Sequence, residues 1–321
     1  MRRRKILILG ASGFIGSRLM ASWRPDQYTA TYFSQPLDGA VRFDIATERL
    51  ADRFLLRGHG FTHAILAQGV TKLEQCALSS LDSSATNIVG TKRAMEDIVD
   101  AGVHPIYLSS DAVFDGTSGP RTESDEPNPI LSYGRQKLVA ETHLAKMAGS
   151  WTILRLSKVV SSFVDSRNLL SVWCTQVADS ECITCATDQK LTPIDIDDVV
   201  QAVNCFIMSS TSGLFHVSGS QILTRYQLLQ ILLKYLPHSI RHKAVIRTCL
   251  LSEIPFGEPL PLDCSLANAK LGAVSGMHPK SMEEVCEMLC HKVYGDQSAT
   301  CFAQRLNMGR SLSYAARRGR Y

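Results

Sequence analysis

Residues 6–16 read ILILGASGFIG: a short apolar run that ends in glycines at 10, 13 and 16. FIGSRLMASW follows with helical spacing until Pro25 stops it. A strand, a glycine turn and a helix in that order let a backbone admit a phosphate. Gly10 suits the tight turn, Gly13 the close approach of a pyrophosphate, and Gly16 the packing of the helix. The free N–H groups at the helix start then face the anion. Ser12, Phe14 and Ile15 complete the loop.

The same alternation runs outward from this stretch. QYTATYF reads as a second strand and THAILAQG as a third. Ser83 to Ala101 reads as a helix stopped by Gly102. HPIYLSSDAVF is another strand, YGRQKLVAETHLAKMAG another helix, and WTILRLSKVV a closing strand. Strands alternating with helices imply βαβ units, and near-continuous apolar strands imply a sheet covered on both faces. The expected fold is α/β, a Rossmann-type doubly wound parallel sheet with a smaller C-terminal substrate-binding lobe.

Beyond about residue 160 the pattern loosens. LTPIDIDDVVQAVNCFIM reads as a turn and a helix with an acidic first turn, which suits the helix dipole. LFHVSG is a short strand, TRYQLLQILLKYL and MEEVCEMLCHKVY are helices, and Ile246 to Leu266 is a proline-punctuated loop. The expected division is 1–160 for dinucleotide binding and 161–295 for the substrate lobe, part of which returns to the sheet. Residues 296–321 form a basic tail, with five arginines and no acid from 301 onward. That tail reads as frayed, or as a contact for an anionic partner.

Composition narrows the function. The chain has 321 residues, 45% of them hydrophobic, and a net charge of +4, too mild to imply nucleic acid. No apolar run reaches the roughly 18 residues of a membrane span. Met-Arg-Arg-Arg-Lys precedes only the run Ile6 to Leu9, so a secretory leader is not expected, and the cytoplasm is. Ten cysteines are scattered, with one CxxC at Cys182/Cys185 and a helical pair at Cys286 and Cys290. They read as buried or free thiols ahead of a zinc site, and no metal is expected.

Tyr133-Gly-Arg-Gln-Lys137 puts a phenol and an ammonium on one helical face. A phenol with a pKa near about 10 is a poor proton shuttle, and a nearby ammonium favours its ionised form. Ser109-Ser110-Asp111, at the end of the preceding strand, offers a hydroxyl that can hold a substrate oxygen near that phenol.

Glycines spaced GxxGxxG followed by YxxxK resemble the short-chain dehydrogenase/reductase superfamily. The set GASGFIG, LSSDAVFDG (108–116), EPNPILSYGRQKLVAE (126–141), LRLS (154–157), LTPIDIDDVVQAV (191–203) and PLDCSLANAKL (261–271) resembles a narrower group. That group is the dTDP-4-dehydrorhamnose reductase family of extended short-chain reductases, and the resemblance runs from about residue 5 to 290. It implies an NAD(P)H-dependent reductase of a keto group on a nucleotide-linked sugar. By position, Ser110, Tyr133 and Lys137 match its catalytic residues, Tyr133 as proton donor, with Lys137 also holding the nicotinamide ribose. Ala67, Gln68, Gly69 and Asn87 match cofactor-lining positions, as does Ser109. Asp44 and Ile45 match an adenine-contacting pair, although Asp44 also reads as a simple strand-end turn residue.

The resemblance leaves the nucleotide, the sugar and the role to be settled. An NAD site usually has an acid about 20 residues past the glycines. Here Thr31 to Gln35 contain none, so NADP is expected ahead of NAD, with Arg18 and Ser34 as candidates for its 2′-phosphate. Ala112 stands where the family has tyrosine, and Lys158 where it has tryptophan; a lysine there would suit an anionic or hydroxyl-rich ligand. Beside the reductase stand two alternatives on the same fold: a regulatory subunit like the β subunit of methionine adenosyltransferase, and a sugar-nucleotide epimerase. A small-molecule substrate and a homodimer are expected.

Overall fold

In the computed structural model, residues 5–209 and 211–295 are described; the basic tail therefore lies outside the described residues. Seven strands form one sheet: β1 Lys5–Leu9, β2 Tyr28–Tyr32, β3 Ala40–Arg42, β4 Phe61–Leu66, β5 His104–Ser110, β6 Thr152–Leu156 and β7 Gly213–Val217. Their order is β7-β6-β5-β4-β1-β2-β3, and every pairing is parallel. The chain winds outward from β1 to β3, then crosses back to β4 and winds the other way. The crevice between the ends of β1 and β4 is the switch point at which such sheets hold ligands.

The period of two in β1 decides the layers. Ile6 and Ile8 face one core with Leu19 of helix α1 (Phe14–Ser22) and Val203 and Phe206 of helix α5 (Ile196–Met208). Leu7 and Leu9 face the other, with Met95 and Ile98 of helix α2 (Thr91–Asp100) and Ala140 and Leu144 of helix α3 (Ser132–Ala145). A third core, around Trp173 of helix α4 (Leu169–Ala178), Leu228 and Leu232 of helix α6 (Arg225–Tyr235), and Val285 and Leu289 of helix α7 (Met282–Tyr294), supports the later chain.

Several boundaries differ from the sequence reading. WTILRLSKVV is two strands, because the chain turns off the sheet at Ser157, whose hydroxyl donates to the Thr192 carbonyl at 2.5 Å. Val159–Val160 then pairs with Ile194–Asp195. The helix from Ser83 to Ala101 contains a wide π turn at Ala85–Gly90, where Gly90 lies against the Ile45 carbonyl. HPIYLSSDAVF leaves the sheet at Ser110 and makes a single turn at Asp111–Val113. Inside the expected loop 246–266 lies the strand Val245–Cys249, parallel to Cys182–Ala186. Three of its five residues are exposed and none is fully buried, so it carries no apolar signature.

The nine described cysteines are free thiols. Cys182 and Cys185 share a strand, one exposed and one buried, while Cys286 and Cys290 are buried in α7. Among the described residues no helix is long and apolar enough to cross a membrane, and no cluster of His, Cys, Asp or Glu is arranged to hold a metal ion.

Candidate active site

The glycine loop is a close-packed cradle. Gly10 has a left-handed φ of 84°, and Gly13 N donates to its carbonyl at 3.1 Å. A Cβ on Gly16 would lie 2.3 Å from the Gly10 carbonyl oxygen, so only glycine lets α1 begin this near β1. At the neighbouring end of β4, both amide atoms of Gln68 are buried without a hydrogen-bond partner among the described residues. A buried amide in that state is costly, and a polar ligand in the crevice would relieve it. Arg167 reaches across from the later chain, donating to the Ser12 carbonyl at 2.9 Å and to Ser17 Oγ at 3.3 Å, with its guanidinium 5.6 Å from the Phe14 ring centre. No motif in the sequence pointed to Arg167.

On β5 and α3 the structure brings Ser110, Tyr133 and Lys137 together. Gly134 makes this approach possible: a Cβ there would sit 1.9 Å from the Ala112 carbonyl oxygen, so α3 rests directly on the Asp111–Val113 turn. The Ser110 hydroxyl stands beside the Tyr133 phenol and favours its ionised form. Ser110 Oγ donates to Asp111 Oδ1 at 2.8 Å and accepts from the Ala112 amide at 3.2 Å. Lys137 Nζ donates to the Leu108 carbonyl at 2.8 Å and stands 5.7 Å from the Tyr133 ring centre.

The electrostatics differ from the expectation that Lys137 lowers the phenol. Burial pushes Tyr133 up, the Asp111 charge adds to this, and the Ser110 hydroxyl works against it. Lys137 is itself lowered to about 8 by burial, with the Glu141 charge opposing. Burial also raises Asp111 to about 6, against the Ser110 hydrogen bond and the Lys158 cation. The phenol is therefore fully protonated at neutral pH.

A buried ion pair underlies the trio. Arg155 Nη2 on β6 donates to Glu141 Oε2 on α3 at 2.7 Å, with side chains 4% and 5% exposed. Ser109, the register partner of Arg155, gives its hydroxyl to the same carboxylate. Its side chain is thus structural, where a cofactor contact was expected. Asn87 is also an organiser: it accepts from Val70 N at 2.8 Å and donates to Gln136 Oε1 at 2.7 Å, tying the exit of β4, with Ala67, Gln68 and Gly69, to α3.

Arg18 and Asp44 both have partners within the chain. Arg18 is bound to Asp197 through Nε and Nη2 and stacks on Phe163 at 4.0 Å, so its guanidinium is committed to α5 and the later chain rather than left free for a 2′-phosphate. Ser34 is exposed just past β2, and the nearby cation is Arg42, in register with Tyr32 and 5.3 Å over the Phe33 ring. Asp44 accepts from the Ala46 amide at 3.0 Å, the turn role, while Ile45 is buried against Gly90.

The family model described as "RmlD substrate binding domain" matches residues 4–294. A dTDP-4-dehydrorhamnose reductase of Sinorhizobium fredii is 29% identical over 67% of this chain and 73% of its own length. Methionine adenosyltransferase 2 subunit beta of Bos taurus is 24% identical over 70% of each chain. Among solved structures, a dTDP-4-dehydrorhamnose reductase of Bacillus anthracis in complex with NADP has a TM-score of 0.79 at 20% identity, covering 90% of this chain and 99% of its own. With one match spanning the sheet, the glycine cradle and the later lobe alike, the chain belongs to the RmlD substrate binding domain family.

Proposed function

We propose that the protein is an NADPH-dependent oxidoreductase of the short-chain type that reduces a keto group on a nucleotide-linked sugar. The observation that carries this reading is the meeting of Ser110, Tyr133 and Lys137 at the same sheet edge as the glycine cradle. The cradle fits a dinucleotide: Gly10, Ser12, Gly13 and Gly16 would hold its pyrophosphate, and Gln68 and Gly69 would line it. Bound there, the reduced nicotinamide supplies the hydride.

The chain supplies position and a proton. Ser110 and Tyr133 present neighbouring hydroxyls that can bind one substrate oxygen. Tyr133, kept protonated by burial, gives its proton to that oxygen as negative charge develops there. Lys137, anchored on Leu108, sets a positive charge beside the site. The absence of an acid from Thr31 to Gln35, together with Arg42 and Ser34, supports NADPH over NADH, because a cation and a hydroxyl can receive a 2′-phosphate.

The relatives' names point the same way, since both the Sinorhizobium protein and a Streptomyces niveus dTDP-4-keto-6-deoxy-D-glucose reductase, 25% identical, act on such sugars. We place the enzyme in the cytoplasm. A homodimer through the helices bearing Val89 and Val139 is supported by their exposure of 52% and 43%. The test is NADPH binding followed by its oxidation with a panel of dTDP-, UDP- and GDP-linked keto sugars. Turnover that vanishes in Tyr133→Phe supports the reductase. Cofactor binding without turnover on any sugar favours a regulatory subunit instead.

A further inference from the structure

Helix α3 begins without a cap of its own. It follows Leu131, a buried leucine with no side-chain oxygen to offer, and its first turn contains no acid. The unpaired N–H groups of a helix start need acceptors. Here the acceptor comes from 126 positions further along the chain. The Glu258 carboxylate accepts from Ser132 N at 3.0 and 3.1 Å, from Ser132 Oγ at 2.6 Å and from Arg135 Nη2 at 2.9 Å. Its side chain is 13% exposed, and a negative charge at this end of the helix also answers the dipole.

The loop that delivers Glu258 belongs to the later chain and is fastened on both sides. Leu251 and Ile254 pack with Ala186 in a small core, and the Leu262 carbonyl accepts from Lys190 N at 2.7 Å. Pro255 to Glu258 wall a cavity of about 660 Å³ together with Glu74, Ala77 and Leu78. Glu258 borders that cavity, yet Arg135 already answers its charge, and a carboxylate repels the diphosphate of a nucleotide sugar. Its hydrogen-bond donors all lie on the first turn of α3.

That turn carries Tyr133. Ser132 precedes it on the Glu258 carboxylate, and Gly134 follows it, pressed on the Ala112 carbonyl with no room for a Cβ. The phenol therefore rides on a backbone pinned at both neighbours, once by the turn after Ser110 and once by the later lobe. We propose that Glu258 is a positioning residue, holding the start of α3 so that Tyr133 meets the substrate oxygen. This rests on the reductase reading above and adds to it a residue outside the trio.

The experiment is steady-state oxidation of NADPH with the panel of dTDP-, UDP- and GDP-linked keto sugars, comparing wild type, Glu258→Ala and Ser281→Ala. Ser281 caps a different helix, α7, where its hydroxyl accepts from Glu284 N at 3.2 Å. Both variants lose a helix cap, so both should melt at a lower temperature than wild type. Only Glu258→Ala should lose kcat, by about tenfold or more, as a small misplacement of a reacting group gives. Its KM for the sugar and its NADPH affinity should keep their wild-type values. The solvent deuterium isotope effect on its kcat should rise, because a displaced phenol slows the proton transfer. If Glu258→Ala does not fold, Ser132→Ala, which removes the 2.6 Å contact from the other side, is read for the same loss of kcat.

Unchanged kcat in Glu258→Ala overturns the inference. An equal loss of kcat in Ser281→Ala also overturns it, because the effect is then one of stability. A change confined to KM assigns Glu258 to the ligand of the cavity and overturns it as well. If wild type oxidises NADPH with none of the sugars, the reductase reading falls and the inference falls with it. If wild type turns over and the Glu258 variant matches it, only the inference falls.

Discussion

Lys137 donates to the Leu108 carbonyl at 2.8 Å, and its nitrogen stands 5.7 Å from the Tyr133 ring centre. The ammonium is thus held by β5, and the phenol stands beside the Ser110 hydroxyl. Burial, the largest influence on each, keeps Tyr133 protonated and makes Lys137 easier to discharge.

Tyr133→Phe removes the proton and keeps the ring. Turnover should fall by about 100-fold or more, the usual size of a general acid's contribution. NADPH affinity, followed by fluorescence titration, should change little. Retained turnover would take the proton transfer away from Tyr133.

The alkaline limb of kcat/KM follows from the buried ammoniums. Lys137 and Lys158 are each lowered to about 8 by burial, and the protonated form of Lys137 is the useful one. Activity should therefore be full below that pH and decline as pH rises through it. The limb should remain in Lys158→Met, which assigns it to Lys137. A limb that disappears in that variant would assign it to Lys158.

Cofactor choice should depend on Arg42 and not on Arg18. Arg42→Ala should raise KM for NADPH about tenfold, the worth of one charge-assisted contact, and leave NADH kinetics unchanged. Arg18→Ala should instead lower the melting temperature, because it breaks the contact with Asp197, and keep the NADPH/NADH ratio.

The Arg155–Glu141 pair is a structural keystone under the site. Arg155→Met leaves a buried carboxylate unpaired and should cost about 3–5 kcal/mol in urea unfolding. Adding Glu141→Leu should recover much of that loss. A single variant as stable as wild type would show that the pair is not sealed from water.

The alternation of strands and helices, the glycine cradle and the Tyr133–Lys137 pair were legible in the sequence because each depends on local spacing, while Ser110 was joined to that pair by the family resemblance. A period of two makes a buried strand, and a separation of four puts Tyr133 and Lys137 on one face. Strands Cys182–Ala186 and Val245–Cys249 were not legible, since a short, half-exposed pair needs no apolar pattern.

Partnership between distant side chains was decided only by the tertiary structure. Arg18 and Asp197 are 179 positions apart, and nothing near either residue announces the other. Until α5 closes on α1, Arg18 is any cation on a first helix and fits a phosphate as well as a carboxylate. Ser109 likewise looked like a lining residue until β6 brought Arg155 beside it and α3 set Glu141 over both. Lys158 is the converse: its chemistry was visible in one letter, but its burial beside Asp111 and Arg225 comes from three separate segments meeting. The sequence alone determined which chemical groups stand at the sheet's edge. Which of them remain available to a ligand was settled by packing, because burial and long-range pairing act only once the chain has closed.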